Sequence, residues 1–409
     1  EQLLIMKAIS ILALALVAGV SASAQKSLVK EVERDLKSTP ENYPSLIQKL
    51  TPAFTNDETA QDVQTYLVAG NGAYAFYDKQ SVFAQMGKDV DKKQLGNSVL
   101  EGFDYLWKAL PLDSVPDAKG KIKAKNSGKI YKTIASHYND FLQAAGFLWE
   151  AQDYKDAVKC WEKYVTLKDN PQIVKAGINV PADTLVAEIK YNMGIGASLA
   201  QDPEASLAYF QEAIASGYNK KNVFDYAISC ASQLKRPEVM AAIAEQAYPL
   251  YGAEDSRYIG YMVNNLIDKK QFAEADALID KYIAADPNNA QLYFVKGVLL
   301  DSEQKPAESL AAFQKSIALD ENNAAALFQL GYKLYQKACD MDQNETAGMS
   351  QQDYKTFRAE KVDPMLRESS TYLEKAFKID ENMSEARQVL RSIYYNLNDE
   401  ENLKRVESM

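Results

Sequence analysis

The chain repeats one pattern of small and bulky residues at a spacing of 34 positions, as Gly297 and Gly331 illustrate. The linker at residues 286–289 is echoed at the same spacing by the linker at residues 320–323. Within each copy, the apolar residues follow the periodicity of two amphipathic helices. Because one such helix pair cannot bury its own apolar face, successive pairs must stack. The repeat therefore predicts an all-α fold built from helix pairs.

Five copies can be followed between residues 138 and 323, and they begin at residues 138, 187, 222, 256 and 290. Each copy has a small residue where two helix axes are expected to approach to about 8–10 Å, because a larger side chain would block that approach. These small residues are Ala157, Ala213, Ala241, Ala275 and Gly297.

The residues of these copies resemble the tetratricopeptide repeat, whose first helix carries Leu-Gly and whose second helix carries Ala and Phe at fixed positions. In the copy that begins at residue 187, Met193, Gly194, Phe210 and Ala213 occupy these places. The resemblance implies a right-handed α-solenoid of tetratricopeptide-like helix pairs, regular over residues 138–337. As a whole, the chain also resembles the secreted tetratricopeptide proteins of Gram-negative gut anaerobes.

The resemblance further implies a concave groove lined by the first helix of each pair. Aromatic rings there would supply contact area, and amides would pair with a peptide backbone or with sugar hydroxyls. The alternative is that these rings pack against the neighbouring helix. The predicted groove residues are Trp149, Tyr191, Asn192, Tyr226, Tyr261, Asn264, Phe294, Phe328 and Tyr332.

A specialised groove of the same family is not matched. Cytosolic co-chaperone arrays hold a C-terminal carboxylate with lysines and asparagines, and the corresponding positions here are Leu142, Gly146, Gly260 and Phe294. We therefore expect no carboxylate clamp.

The N-terminal residues have the order of a cleaved export signal. Lys7 precedes an apolar run over residues 9–20, and small residues follow at Ala22 and Ala24. We expect cleavage after Ala24, a natural start at Met6 and a periplasmic location, so residues 1–24 form the signal peptide and residues 1–5 lie upstream of the start. A transmembrane anchor is disfavoured because the run is shorter than the ~20 residues that a bilayer span needs.

The flanks of the regular array are divergent. Residues 25–110 are expected to form an N-terminal helical region with one repeat, whose two helices are separated by about twenty extra residues in a long hairpin. Residues 338–409 are expected to hold a last repeat, interrupted at 339–360 by a mobile loop and closed by a polar capping helix. That loop is either a spacer or a second contact surface.

Residues 111–137 are expected to be a Lys-rich linker and the entry to the next helix. Pro111, Pro116, Gly120 and Gly128 should break any helix there. Six lysines fall at positions 119, 121, 123, 125, 129 and 132. The stretch is either a solvated connection or a contact for an anionic partner or lipid surface.

The composition argues against catalysis and against nucleic acid. The only histidine is His137, which we interpret as a packing or capping residue, and no Cys or His cluster has metal-ligand spacing. We therefore expect no enzyme activity, no cofactor and no metal. Because the net charge is −10, phosphate backbones should be repelled. Cys160 and Cys230 are too far apart to pair and are interpreted as small buried packing residues, and a pairing with Cys339 or between molecules is the alternative.

Two short motifs resemble sites of periplasmic O-glycosylation, with Ser114 and Thr184 as the acceptors. Both are expected in connections rather than helices, where a glycan would not disturb the stack.

The sequence thus predicts an exported, non-enzymatic scaffold that binds a protein or peptide of the cell envelope in its groove, without an integral membrane anchor. Glycan binding at the cell envelope is the alternative.

Overall fold

A computed structural model describes residues 22–116, 120–122 and 124–408 of the chain. Nearly all of the predicted signal peptide lies outside the described residues, as do Lys119 and Lys123 of the basic stretch. The α-helices of the described part are α1 (Ala22–Ser38), α2 (Tyr43–Leu50), α3 (Val63–Gln85), α4 (Lys92–Asp113), α5 (Ser127–Ser136), α6 (Asp140–Glu150), α7 (Tyr154–Leu167), α8 (Pro171–Lys175), α9 (Asp183–Leu199), α10 (Pro203–Ala215), α11 (Lys221–Gln233), α12 (Pro237–Tyr251), α13 (Arg257–Asp268), α14 (Phe272–Ala285), α15 (Ala290–Ser302), α16 (Pro306–Leu319), α17 (Ala324–Asn344), α18 (Gln351–Phe357), α19 (Asp363–Ile379), α20 (Ser384–Asn396) and α21 (Glu400–Glu407).

The described residues divide into two compact units, of which the first ends at Cys230 and the second begins at Ala231. In the first unit, α3 packs with α4, α6 with α7 and α9 with α10, while α4 contacts α6 and α7 contacts α9. In the second unit, α13 packs with α14, α15 with α16, α17 with α19 and α20 with α21, and each pair contacts the next. The predicted all-α solenoid of tetratricopeptide-like helix pairs is confirmed.

Glycines of the first helix mark the closest approach within three of these pairs. A Cβ atom built on Gly194 would lie 2.5 Å from the ring of Phe210, and one on Gly297 would lie 2.5 Å from the ring of Phe313. A Cβ atom built on Gly331 would lie 2.7 Å from the side chain of Leu373. At these places a side chain of the second helix lies directly against the glycine, which explains why a small residue is required there.

A buried serine adds a hydrogen bond at each of these glycines. The hydroxyl of Ser206 donates to the carbonyl oxygen of Gly194 at 2.9 Å, and that of Ser309 donates to Gly297 at 2.9 Å. Ser369 donates to Gly331 at 2.6 Å. All three serines have no exposed surface, so each buried hydroxyl is satisfied by the partner helix.

The turns inside the pairs share one backbone geometry. Gln304, two residues after the end of α15, has a φ of 61°, and the next amide, that of Lys305, donates to the carbonyl of Leu300 at 2.9 Å. This is the six-residue closure that often ends an α-helix. The same left-handed φ recurs at Gln152, Gln201, Lys235, Lys270 and Asn398.

The N-terminal repeat differs from the predicted long hairpin. The extra residues extend both helices, so α3 and α4 have 23 and 22 residues. Only residues 86–91 connect them. The periodicity was compatible with this result because the apolar spacing continues through both extensions, to Tyr77 in α3 and from Leu95 in α4.

The Lys-rich stretch is partly helical, so the expectation that it breaks every helix is wrong. Pro111 lies in the last turn of α4, and Gly128 lies in the first turn of α5. Helix α5 forms because Ile130 and Ile134 are buried and because Asp113 caps it: the Asp113 carboxylate accepts hydrogen bonds from the amides of Asn126 and Ser127, at 2.8 and 2.7 Å. The predicted domain boundaries stay a prediction.

The insertion at residues 339–360 is mostly helical rather than a projecting loop. Helix α17 continues to Asn344, α18 follows after six residues, and a π-helical turn over Arg358–Val362 leads into α19. Arg358 joins these segments, because it pairs with Asp363 at 2.9 Å and lies 3.6 Å from Asp342. Its guanidinium also donates to the carbonyl of Asn396 at 3.2 Å. Hydrophobic periodicity could not predict these pairings, because they involve polar and charged residues.

The three cysteines are unpaired, as expected, and Cys160 and Cys230 are buried packing residues. Across the described part of the chain, no helix combines the length and the apolar character that crossing a membrane requires.

Candidate functional site

Most of the predicted groove residues are partly buried. Tyr226 and Asn264 are exposed, whereas Trp149, Tyr191, Asn192, Tyr261, Phe294, Phe328 and Tyr332 are intermediate. The two structural units hold separate subsets, which are described in turn. The assignment of these residues to one groove stays a prediction.

In the first unit, Tyr191 and Tyr226 belong to one aromatic cluster. The ring of Tyr191 in α9 stacks on that of Tyr218 with centroids 4.7 Å apart and planes 13° apart. The ring of Tyr226 in α11 stacks on that of Phe210 in α10, with centroids 5.7 Å apart and planes 18° apart. Tyr191 also touches Tyr226 at a centroid distance of 6.4 Å. We name these four rings the aromatic cluster.

The helix pair α9–α10 explains why the cluster can form. Gly194 has no side chain, so Phe210 lies directly against α9 and supports the Tyr226 ring. Tyr218 follows Gly217, whose φ of 89° suits glycine and turns the chain after α10. The ammonium group of Lys220 then lies 5.2 Å from the Tyr218 ring centroid, within range of a cation–π contact.

An amide side chain completes the polar edge of the cluster. The Nδ2 of Asn222 donates a hydrogen bond to the hydroxyl of Tyr191 at 2.7 Å. Burial raises the pKa of Tyr191, and the nearby Tyr226 and Tyr218 add to this effect. The Tyr191 hydroxyl is therefore a neutral phenol at physiological pH, and it can still donate its own proton to a ligand.

Tyr226 is the ring of the cluster that is most available to a ligand. Tyr226 is 45% exposed although the ring of Phe210 stacks on one of its faces. Sequence reasoning found Tyr191 and Tyr226 but missed Tyr218, which lies in the connection before α11, and Asn222, which lies in the first turn of α11. The run of Tyr218 and two amides at residues 219 and 222 was the available signal.

Trp149 packs against two rings of α7. It meets Tyr154 edge to face at 5.0 Å and Trp161 at 5.6 Å. Its indole also lies 3.4 Å from the position that a Cβ atom on Gly196 would take. For Trp149, the alternative that groove rings pack on the neighbouring helices describes these contacts.

In the second unit, the predicted rings form two smaller contacts. Phe328 and Tyr332, one turn apart on α17, stack with centroids 5.8 Å apart. Phe294 meets Phe313 at 5.9 Å. Lys333 of α17 forms an ion pair with Asp301 of α15 at 2.7 Å.

His137 does more than cap a helix. Its ring stacks on that of Tyr74, with centroids 3.9 Å apart and planes 3° apart, and its Nδ1 lies 2.7 Å from a carboxylate oxygen of Asp140. Asp78 of α3 approaches the same nitrogen at 3.7 Å. Sequence reasoning missed Asp78, which lies far upstream of His137.

The two proposed glycan acceptors have different surroundings. Ser114 is exposed directly after α4, and its hydroxyl donates to the carbonyl of Leu110 at 3.1 Å. Thr184 is exposed in the first turn of α9, so its expected place in a connection is wrong. The aspartate of the first motif, Asp113, is a buried cap for α5. Modification at Ser114 and Thr184 stays a prediction.

No protein-family model matches the chain, and no curated protein matches it by sequence. Among solved structures, the chain is similar to a TPR repeats protein from Bacteroides fragilis NCTC 9343, with 16% identity, a TM-score of 0.33, and coverage of 63% of this chain and 98% of that one. A tetratricopeptide repeat protein from Parabacteroides merdae ATCC 43184 has 10% identity, a TM-score of 0.33, and coverage of 78% and 98%.

The human IFIT1 dimer with m7Gppp-AAAA is also similar, with 14% identity, a TM-score of 0.37, and coverage of 93% of this chain and 77% of that one. At such low identities and TM-scores, these likenesses assign neither a partner nor an activity to this chain.

Proposed function

We propose that the chain is a non-enzymatic tetratricopeptide-like scaffold that binds an extended peptide of a protein partner on the aromatic cluster. The observation that carries this proposal is that Tyr226 is 45% exposed while its ring stacks on that of Phe210. A ring fixed in this way offers contact area without loss of side-chain freedom on binding.

The polar groups beside the ring support a peptide as the ligand. The Tyr191 hydroxyl and the Asn222 amide lie at one edge of the cluster and can pair with backbone carbonyl and amide groups. Lys220 stands over Tyr218 and adds a positive charge. An extended peptide with an apolar or aromatic side chain for Tyr226 and an acidic residue for Lys220 would fit this arrangement.

A peptide selection tests the proposal. Linear peptides displayed on phage are selected on the wild-type chain, and their affinities are then measured for two variants. Tyr226→Ala should weaken binding by about thirtyfold, which corresponds to the roughly 2 kcal/mol of an aromatic hot spot. Because Tyr226 is an exposed residue, the melting temperature of the Tyr226→Ala variant should change little.

Tyr395→Ala is the matched control, because Tyr395 is 74% exposed and belongs to the second unit. It should bind the selected peptides as the wild type does. Equal affinities of the wild type and Tyr226→Ala would show that the aromatic cluster is not the binding surface.

Glycan binding is the second candidate. A supported aromatic ring beside an amide also suits the apolar face and the hydroxyls of a sugar. A glycan array probed with the wild type and with Tyr226→Ala separates the two ligands: glycan signals that disappear in the variant, without any selected peptide, would favour this candidate.

We also propose that the protein is exported to the periplasm, with processing between Ala24 and Gln25. The support is the order of charge, apolar run and small residues in the sequence. N-terminal sequencing of the protein from the cell envelope should find Gln25 first. A mature chain that retains residues 6–24 would contradict the export.

A further inference from the structure

Asp78, which is distant in sequence, and the neighbouring residues His137 and Asp140 bring metal-binding atoms together in the first unit. His137 lies directly after α5, Asp140 is the first residue of α6, and Asp78 lies in α3. One ligand atom from each lies within 4.8 Å of the other two. The Nδ1 of His137 is 2.7 Å from an oxygen of Asp140 and 3.7 Å from an oxygen of Asp78.

The imidazole is held in a fixed orientation. The ring of Tyr74 covers one face of the His137 ring at 3.9 Å and in parallel, and only 13% of the His137 side chain is exposed. The surrounding helices therefore fix its Nδ1 toward the two carboxylates. Such an orientation is what metal-binding histidines usually require from their surroundings.

The distances suit a small divalent ion after minor movement. Nitrogen and oxygen ligands lie about 2.0–2.2 Å from zinc, so neighbouring ligands of a tetrahedral site are separated by about 3.3 Å. The two measured distances from Nδ1, 2.7 and 3.7 Å, lie on either side of that value. The Asp78 side chain is 62% exposed and can rotate toward the other two.

The ligand types indicate which ion is favoured. An imidazole nitrogen suits zinc and related transition metals, whereas Mg²⁺ and Ca²⁺ prefer six or more oxygen ligands. Two carboxylates would neutralise the charge of a divalent ion, and the exposed side of Asp78 leaves room for water at a fourth position.

From this geometry we propose that Asp78, His137 and Asp140 form a Zn²⁺ site that joins α3 to the turn between α5 and α6. The bound ion would link the N-terminal helix pair to the helix that opens the regular array. The site is separate from the aromatic cluster, so it does not depend on the proposed function.

A titration of the chelator-treated full chain with ZnCl₂ tests the site, in calorimetry and in thermal unfolding. The protein for this titration is prepared without a polyhistidine tag, so that His137 is its only histidine. We expect one Zn²⁺ per chain and a rise in melting temperature that EDTA reverses. MgCl₂ at the same concentration should produce neither effect.

Asp78→Asn removes one ligand at a largely exposed position, so the fold should persist. It should weaken Zn²⁺ binding by at least about tenfold, since even the outer-shell partners of metal ligands contribute that much. Asp89→Asn is the matched control, because Asp89 is an exposed aspartate in the loop between α3 and α4. It should bind Zn²⁺ as the wild type does.

The imidazole resonances of the single histidine give an independent measurement by NMR. They should shift on addition of one equivalent of Zn²⁺ in the wild type and in Asp89→Asn. Absence of stoichiometric binding, equal affinities of Asp78→Asn and Asp89→Asn, or Zn²⁺ binding that leaves the His137 resonances unmoved would each overturn the proposal. What remains would then be a His137–Asp140 hydrogen bond with the Asp78 carboxylate nearby.

Discussion

At the scale of single residues, glycines separate positions that the repeat requires from positions that it tolerates. Gly297 is in contact with the Phe313 ring, whereas a Cβ atom on Gly260 would meet nothing within 4 Å. Both glycines lie inside first helices of the second unit. The repeat pattern already separates the two, because it assigns Gly297 to a helix contact and Gly260 to a groove position.

Gly297→Leu should lower the free energy of unfolding by about 1–3 kcal/mol or more, because the new side chain would force α15 and α16 apart. Gly260→Leu is the control and should be neutral or stabilising by up to about 1 kcal/mol, since leucine favours the helix over glycine. Urea unfolding measures both. Equal losses in the two variants would contradict the assigned contact.

Asp113 shows a second effect at the residue scale, namely a charge that caps a helix from outside it. Burial opposes the charged form, but hydrogen bonds from Ser127 and Asn126 outweigh this effect and hold the pKa of Asp113 below its usual value. Its contribution to stability is therefore present above the pKa of an unfolded aspartate and is lost as the pH falls through the folded value.

Asp113→Ala should lower the free energy of unfolding by about 0.5–2 kcal/mol at neutral pH, as for other lost helix caps. The difference from the wild type should shrink as the pH falls below about 4, the pKa of an unfolded aspartate, because the folded carboxylate keeps its charge to a lower pH than the unfolded one. Asp89→Ala, in an exposed loop, should change little. A difference that stays constant down to pH 2–3 would show that the charge of Asp113 is not responsible.

At the scale of elements, the turn between paired helices is repeated more faithfully than the residues that form it. Gln304 adopts a left-handed φ of 61°, a conformation that costs a residue with a Cβ atom about 1 kcal/mol or more. Glycine has no such cost. The six non-glycine residues that share this geometry thus carry a small strain in each pair.

Gln304→Gly should raise the free energy of unfolding by about 0.5–1 kcal/mol, because it relieves this strain. Gln304→Ala keeps the Cβ atom and serves as the control, with no gain expected. Thermal and urea unfolding check both variants. A glycine variant no more stable than the alanine variant would mean that the turn is not strained.

Helix existence was predictable from sequence, whereas helix length and side-chain pairing were not. The apolar period identified α13 to α16 because their buried residues recur at helical spacing. The apolar spacing of α3 continues to Tyr77 and then stops before the helix ends, and α17 ends in polar residues, so periodicity alone could not place the ends of these two helices. Asp78 and His137 lie 59 residues apart in sequence, and only the packing of α3 brings them together.

At the scale of the whole molecule, the chain consists of two units that meet at residues 230 and 231. In repeat proteins, stability is approximately the sum of the repeats and their nearest-neighbour contacts. A local defect should therefore act mainly within its own unit. Gly194 and Gly297 allow a matched comparison, because each lies 2.5 Å, measured from its built Cβ, from a phenylalanine ring in its unit.

Gly194→Leu should accelerate amide hydrogen exchange mainly in α9 and α10, and Gly297→Leu mainly in α15 and α16. Exchange followed by mass spectrometry of peptides measures both variants under the same conditions. Acceleration that spreads equally over both units in either variant would show instead that the chain unfolds as one cooperative body.

The unpaired thiols make the opening of the first unit measurable without any substitution. Cys160 and Cys230 are buried in that unit, whereas Cys339 is partly exposed in the second. A thiol reagent can therefore modify Cys339 in the folded chain, but it reaches Cys160 only when the surrounding helices separate. The ratio of the labelling rates at these two sites, followed by mass spectrometry over temperature, reports the free energy of that opening in the native, intact protein.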